Sequence, residues 1–189
     1  ELGSNVIRIG EFAWHMMECE EGKFDFSYFD HVIAEAKKKG LKVIFGTPTA
    51  TMPAWLAKKY PEVLGEFEDN TKRVFGGRRQ YCFNSKTYHR YSEIIIRELA
   101  NHYKDEEAIV AWQIDNEFGH EGSDVCFCEQ CKNAFREYLR EVYNNDIKRL
   151  NETWGTRFWS QTYNDFDEIP VPAKTVTTHN PSLRMEWER

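Results

Sequence analysis

The sequence has little that would bind nucleic acid or enter a membrane. Its 189 residues carry a net charge of −6, and its longest basic run is Lys37-Lys38-Lys39, the others being pairs such as Arg78-Arg79. A phosphate backbone requires clustered Lys and Arg side chains, which makes a nucleic-acid partner unexpected. The longest apolar run, 108–112, is far shorter than the roughly 20 residues that span a bilayer. We therefore expect no nucleic acid and no membrane among its partners.

Internal repeats, low-complexity linkers and a signal peptide are also missing. The missing signal peptide favours a cytoplasmic location, although the chain begins at Glu1 and not at Met, so the sequence does not show whether a leader precedes it. What is present is the composition of a globular protein, with 41% hydrophobic and 15% aromatic residues. The length favours a single domain.

Strand and helix patterns alternate along the chain. Strands are predicted at 6–10, 41–45 and 108–114, and helices at 27–40, about 55–59, from 85, at 134–142 and from 181 to the last residue. Ser27 and Asp30 have capping-box spacing, and Ser85 is a predicted N-cap. The run 108–114 is apolar nearly throughout and predicts a strand buried on both faces.

Alternating strands and helices indicate parallel βαβ units, in either a (β/α)₈ barrel or an open doubly wound sheet. The sequence has no glycine-rich phosphate loop after a strand, which weakens the second possibility. Long polar and aromatic loops follow the strands, as on the active face of a barrel. Three strands are visible where a barrel has eight in roughly 250 residues. We therefore expect residues 1–189 to be an α/β segment of a TIM-type (β/α)₈ barrel, truncated at both ends.

A candidate catalytic group, Asp115-Asn116-Glu117, follows the third strand at the rim where barrel enzymes carry their chemistry. An apolar strand directly before a carboxylate should shield it partly from water, which suits a proton donor at neutral pH. Asn116 is suited to bind a sugar hydroxyl. From this short motif alone, a loop that only caps the next helix is the favoured interpretation, because Asn-Glu pairs are common.

A family resemblance changes that balance. The stretch 112–119, WQIDNEFG, closely resembles the acid/base motif of glycoside hydrolase family 42. Further stretches resemble the same family in the same order, at 6–14, 47–50, 53–56, 78–82, 154–156, 158–161 and 179–183. The resemblance covers nearly the whole chain. It implies hydrolysis of β-galactosides with retention, and it makes the visible strands the second, third and fourth of the barrel.

The resemblance also implies roles for the rim carboxylates. Retaining glycosidases pair a nucleophile with an acid/base roughly 5–5.5 Å away. Glu117 matches the acid/base, whereas the family's nucleophile is a Glu on a later strand, beyond Arg189. Glu11 also ends a strand, but we expect it to orient neighbouring groups rather than to replace the nucleophile.

Three further residues match substrate-binding positions of the family. Arg8 matches an arginine at the pocket floor, and Arg78 matches one that holds galactose and the nucleophile. For both, a structural ion pair with a rim carboxylate is an alternative that does not exclude binding. Trp159 matches a tryptophan that stacks on the sugar, and a plain core tryptophan is its alternative.

The cysteines predict a structural zinc site. Cys126-x-Cys128-x-x-Cys131 places three thiols within reach of one ion, and a closed tetrahedral site needs a fourth ligand. Cys82 is the favoured fourth, because its loop is expected to leave the same rim, and His120 and His89 are less favoured. Several members of the family bind structural zinc through this pattern. Reduced thiols without metal are the alternative, and the remaining Cys19 is interpreted as incidental.

Two other functions stay open from the sequence. One is a related β-glycosidase of the same clan that acts on arabinosides or fucosides. The other is a zinc-stapled module that binds carbohydrate without cutting it. Members of the family often form homotrimers, which the resemblance extends to the full-length protein, although these residues do not themselves indicate an assembly.

Overall fold

The computed structural model describes residues 3–119 and 122–189. The chain divides into two compact units. The first unit comprises Glu1–Leu64 and Val74–Asp124, and the second comprises Gly65–Arg73 and Val125–Arg189.

A parallel three-stranded sheet organises the first unit. In chain order the unit contains β1 (Val6–Ile9), α1 (Trp14–Met17), β2 (Glu18–Glu20), β3 (Lys23–Phe24), α2 (Ser27–Lys38), β4 (Lys42–Gly46), α3 (Ala54–Lys59), α4 (Lys86–Tyr103) and β5 (Ile109–Gln113). The strands β1, β4 and β5 pair in that order and in parallel, as the alternation of patterns predicted. The short antiparallel pair of β2 and β3 was not predicted.

The helix α4 follows its sequence signals. The Ser85 hydroxyl accepts the Tyr88 N–H at 3.2 Å, which confirms the predicted cap. Its buried face contains Tyr88, Tyr91, Ile95 and Leu99, the residues that share the helical periodicity. Among the described residues, no helix is both long enough and apolar enough to cross a membrane.

The predicted capping box of α2 is wrong. Phe26 occupies the N-cap position without a side-chain cap, and Ser27 is the first helical residue. The Asp25 side chain instead accepts the Ser27 N–H at 2.9 Å. An aspartate side chain that bonds the N–H two residues further on forms an Asx-turn, which takes the place of the capping box here. The end of the helix agrees with the prediction, since Gly40 has a φ of +67°.

The ends of β1 and β4 approach each other closely at two glycines. A Cβ on Gly10 would strike the Phe45 ring and lie 2.9 Å from the Gly46 carbonyl oxygen. A Cβ on Gly46 would lie 2.8 Å from the Cβ of Glu11. Glycine at both positions therefore lets Glu11 lie directly against the end of β4.

The expectation that β5 is buried on both faces is wrong. Val110 is 54% exposed and Ile114, just after the strand, is 66% exposed. Within the described residues β5 pairs with a strand on one side only, so its apolar side chains lack neighbours there. The core of the unit lies instead around β4 and the helices, with Trp14, Phe45 and Leu56 fully buried.

The second unit is helical in its described residues. It contains α5 (Glu129–Val142), α6 (Ile147–Trp154) and α7 (Pro181–Trp187), with short 3₁₀ turns at Phe158–Ser160 and Phe166–Glu168. Its core includes Phe135, Leu139, Leu150, Trp154 and Leu183. The helix α7 begins at Pro181 as predicted, where the Asn180 side chain accepts the Ser182 N–H, but it ends at Trp187 and not at the last residue.

Candidate active site

The loop after β5 is fastened to the loop after β4. The Thr47 N–H donates to the Gln113 carbonyl oxygen at 2.9 Å, and the Asp115 N–H donates to the Thr47 hydroxyl at 2.7 Å. Asp115 and Glu117 both have left-handed backbones, with φ of 52° and 44°. Non-glycine residues adopt this conformation rarely, so the chain turns sharply at the Asn116-Glu117 pair.

Asp115 is the most enclosed carboxylate of this loop. Its side chain accepts hydrogen bonds from the Thr49 hydroxyl at 2.6 Å, the Asn116 N–H at 2.6 Å and the Tyr81 hydroxyl at 3.3 Å. The Arg79 guanidinium lies 3.8 Å from it. The sequence motif contains Asp115 but predicts no role for it. Its partners are 34 to 66 residues away along the chain for Tyr81 and Thr49, and no local pattern signals such contacts.

The two tyrosines beside Asp115 are hydrogen-bond donors rather than titrating groups. Burial, together with the negative charge of Asp115, raises the pKa of Tyr81 to about 12. Burial likewise raises the pKa of Tyr88 well above its usual range. The two rings stack with centroids 4.0 Å apart, and the Tyr88 hydroxyl donates to the Thr49 carbonyl oxygen. Thr49 is therefore held through its carbonyl oxygen as well as through its hydroxyl.

Glu117 is open to solvent and paired with Arg78. Its side chain is 51% exposed, and its Oε2 accepts a hydrogen bond from Arg78 Nη1 at 2.8 Å. The Asn116 amide donates to the same oxygen at 3.4 Å. The expected shielding of Glu117 is not observed among the described residues. Asn116 itself is buried, and its Oδ1 accepts the Gln113 amide at 3.2 Å.

Arg8 and Glu11 form an ion pair at the end of β1. Arg8 Nε lies 2.9 Å from Glu11 Oε1, and the Glu11 side chain is only 13% exposed. This is the structural ion pair considered for Arg8, and it gives Glu11 an orienting contact. Binding of substrate by Arg8 stays a prediction.

Trp159, in the second unit, lies in an unusual turn. It has a φ of 60° and is 62% exposed, and the adjacent Phe158 is exposed as well. The two rings meet edge to face with centroids 5.4 Å apart. Trp159 is therefore not a core tryptophan in the described part of the chain, and its ring face is accessible for stacking.

Three buried thiols cluster in the second unit. The sulfur atoms of Cys126, Cys128 and Cys131 lie within 4.8 Å of one another. The Glu66 N–H donates to the Cys126 sulfur at 3.4 Å, and Gly65 leaves room for that sulfur, since a Cβ there would lie 3.1 Å away. A backbone N–H directed at sulfur suits a metal-bound thiolate.

Cys82, predicted as the fourth ligand, is buried in the first unit, where its sulfur accepts the Asn84 N–H at 3.3 Å. The three thiols of the second unit are by themselves three buried sulfur ligands for a metal ion, and Cys82 as the fourth ligand stays a prediction. His89 contacts the Phe83 carbonyl oxygen, and His120 lies outside the described residues. Cys19 is exposed, in keeping with an incidental thiol.

Comparison with known proteins confirms the resemblance. The glycoside hydrolase 42 family model, described as beta-galactosidase, matches residues 1–189. The β-galactosidase BgaA of Thermus sp. is 44% identical over 189 residues, which are 100% of this chain and 29% of that protein. The crystal structure of a β-galactosidase from the psychrophilic Marinomonas ef1 matches with 38% identity and a TM-score of 0.91, covering 98% of this chain and 28% of that chain. A β-galactosidase of Halorubrum lacusprofundi matches with 41% identity and a TM-score of 0.89, over 97% and 27% of the two chains.

These matches establish the fold and the family of the chain. The parallel sheet with helices between its strands is an α/β segment of a TIM-type (β/α)₈ barrel, as predicted. The chain belongs to the glycoside hydrolase 42 family of β-galactosidases. It spans under a third of the length of these relatives.

Proposed function

We propose that this chain supplies the acid/base half of a retaining β-galactosidase, with Glu117 as the acid/base. Family membership supports the β-galactoside substrate and the hydrolytic reaction. The position of Glu117 carries the assignment, because it lies where β5 ends and pairs with Arg78 at 2.8 Å. Barrel enzymes place their chemistry at this end of the strands.

Glu117 protonates the leaving oxygen in the first step and deprotonates water in the second. Arg78 and Asn116 both donate to Oε2. In the described part of the chain Oε1 has no comparable donor, so we assign Oε1 as the oxygen that carries the transferred proton. The nucleophile is a second glutamate outside this chain. Residues 1–189 are accordingly a partial catalytic domain that contributes the second to fourth barrel strands.

Substrate contacts are proposed for four residues. Arg78 and Asn116 hold Glu117 and are close enough to it to reach the sugar hydroxyls beside the scissile bond. Arg8 contributes from the end of β1, where Glu11 orients it. Trp159 provides an exposed ring for stacking on the apolar face of galactose.

The cysteines are proposed to hold one structural zinc through Cys82, Cys126, Cys128 and Cys131. The buried thiols and the N–H groups directed at Cys82 and Cys126 suit thiolate ligation. Four sulfur ligands close a tetrahedral site, so the metal would order the loop that follows Glu117 and take no part in the reaction. The homotrimer implied by the resemblance is a prediction that mass photometry of the full-length protein checks.

The test of the acid/base assignment is Glu117→Gln in the full-length protein that carries this chain. We expect kcat/KM on lactose to fall about 10³-fold, within the 10²–10⁴ range of general acid–base catalysis. Glu35→Gln, at an exposed ion pair with Lys38 on α2, is the matched control and should keep full activity. Normal lactose turnover by the Glu117→Gln variant would refute the assignment.

Two further measurements test the reaction type. The first galactose released should be the β-anomer by NMR, and an α-anomer would exclude retention. A panel of aryl galactosides, arabinosides and fucosides should be cleaved fastest at galactose. Preference for another sugar would favour the related clan activity instead.

A further inference from the structure

We propose that Asp115 is a positioning residue that holds Glu117 in its reactive orientation. The inference rests on the proposed acid/base role of Glu117 and adds a residue on which that role depends. Asp115 is buried, and its carboxylate oxygens accept hydrogen bonds from protein donors. It therefore acts on the chemistry through the loop and not by touching substrate.

Asp115 is anchored through both its main chain and its side chain. Its N–H donates to the Thr47 hydroxyl, and its Oδ2 accepts from the hydroxyls of Thr49 and Tyr81. Its Oδ1 accepts the N–H of Asn116, the residue immediately before Glu117. Thr47 and Thr49 both lie in the segment that follows β4, so Asp115 joins the loop after β5 to the loop of the neighbouring strand.

These bonds maintain a backbone that would otherwise relax. Asp115 and Glu117 both have positive φ, a conformation that side chains with a Cβ adopt only when surrounding contacts impose it. If Asp115 is released, rotation of the turn moves the Glu117 carboxylate away from the leaving oxygen. A displacement of about 1 Å can cost about 10²-fold in rate.

The charge of Asp115 also has a local partner. Arg79 is buried, and its Nη2 lies 3.8 Å from Asp115 Oδ1. An asparagine at 115 keeps the shape of the side chain, but it removes this charge pairing and one acceptor oxygen. Because Tyr81 and Thr49 both donate to Oδ2, the variant with an amide nitrogen at that position loses at least two hydrogen bonds.

The experiment compares leaving groups in the full-length protein. 2,4-Dinitrophenolate leaves without a proton, whereas the glucose of lactose needs one. With Asp115→Asn we expect kcat/KM on lactose to fall about 100-fold and kcat/KM on dinitrophenyl galactoside to fall less than about tenfold. The loss on lactose should appear in kcat rather than in KM.

Conservative variants separate positioning from folding. Thr49→Val and Tyr81→Phe each remove one donor, and we expect each to lower lactose kcat/KM about tenfold. Thr49→Ser keeps the hydroxyl and should recover nearly full activity. These variants keep the test valid if the Asp115→Asn protein does not fold.

Glu18→Gln is the matched control, since Glu18 is a buried carboxylate of the same unit that accepts the Trp14 indole N–H and the Gly22 N–H, each at 2.8 Å. It should change Tm and leave the ratio of lactose to dinitrophenyl activity unchanged. Equal losses on both substrates in Asp115→Asn, or a Thr49→Ser protein as impaired as Thr49→Val, would overturn the inference. Normal lactose turnover by Glu117→Gln would instead overturn the acid/base assignment itself, so the two failures are distinguishable.

Discussion

The two units of this chain stabilise their functional side chains in different ways. In the first unit a parallel sheet carries the loops, and hydrogen bonds between neighbouring strand ends fix the carboxylates. In the second unit the described residues form helices around a smaller core, and the distinctive groups are clustered thiols and an exposed aromatic turn. The first arrangement fixes charges for chemistry. The second presents buried thiols and an exposed ring, whose proposed roles are to bind a metal and a sugar.

The largest effect on stability should come from substituting a clustered cysteine. The described residues of the second unit contain no sheet, so its stability should depend more on the proposed zinc. We expect one zinc per chain by elemental analysis of protein purified without chelators. Cys131→Ser should lose it and lower Tm strongly, since zinc sites in small domains provide apparent binding free energies of about 10–16 kcal/mol. Cys19→Ser, at an exposed cysteine, is the control. If the Cys131→Ser protein lacks zinc and still melts at the wild-type Tm, the second unit does not depend on a bound metal for its stability.

A substitution of Arg78 tests the ion pair that this residue forms with Glu117 in the first unit. Removing a hydrogen bond to a charged group costs about 1.5–3 kcal/mol, so Arg78→Ala should lower kcat/KM on lactose about 10- to 100-fold. The control is Arg97→Ala, which removes an exposed ion pair with Glu93 on α4 and should have little effect. Equal activity of the two variants would show that the Arg78–Glu117 pair has no function.

Trp159 tests whether the second unit contacts substrate. Loss of its ring should raise KM for lactose about 2- to 10-fold, as expected for an aromatic contact of about 0.5–1.5 kcal/mol. Trp159→Phe should recover much of the affinity. Phe158→Ala, at the neighbouring exposed ring, distinguishes the two aromatics. If Phe158→Ala raises KM and Trp159→Ala does not, the stacking residue has been misassigned.

The smallest effect concerns a surface cluster of the first unit that has no part in the proposed chemistry. Lys59 and the Tyr91 hydroxyl hold the pKa of Glu21 at about 2. A carboxylate with a lowered pKa stabilises the fold above its unfolded pKa of about 4.3 and loses that contribution as pH falls toward the folded value. Glu21→Gln should therefore lower Tm slightly at pH 7, and the difference from wild type should vanish near pH 2. Glu93→Gln, at an exposed pair within one helix, should show a smaller difference at pH 7.

Local patterns predicted the elements of the sheet and the longest helix. The apolar runs of β1 and β4 and the buried periodicity of α4 are properties of short windows, as is the Ser85 cap. The pair of β2 and β3 was missed because strands of two or three residues leave no periodicity to detect. Similarly, Asp25 closes the start of α2 through a turn that competes with the capping box.

The sequence was enough to propose the candidate site but not to predict its geometry. Glu117 could be proposed as the acid/base only with the family resemblance, because the short motif alone favoured a loop that caps the next helix. Its half-exposed side chain and its pairing with Arg78 depend on a turn whose left-handed residues are not glycines. The Asp115 contacts with Thr49 and Tyr81 join segments far apart in sequence, so only the folded chain reveals them.

The left-handed backbone of Glu117 sets activity against thermostability at a single position. Glycine adopts a φ of +44° without the steric penalty of a Cβ, so Glu117→Gly should melt at a higher temperature than Glu117→Ala. Both variants lose the transferred proton, but the glycine variant also relieves the turn. With Glu117 in its proposed role as the acid/base, mutational scans that select only for folding should therefore accumulate glycine at a residue whose loss lowers activity.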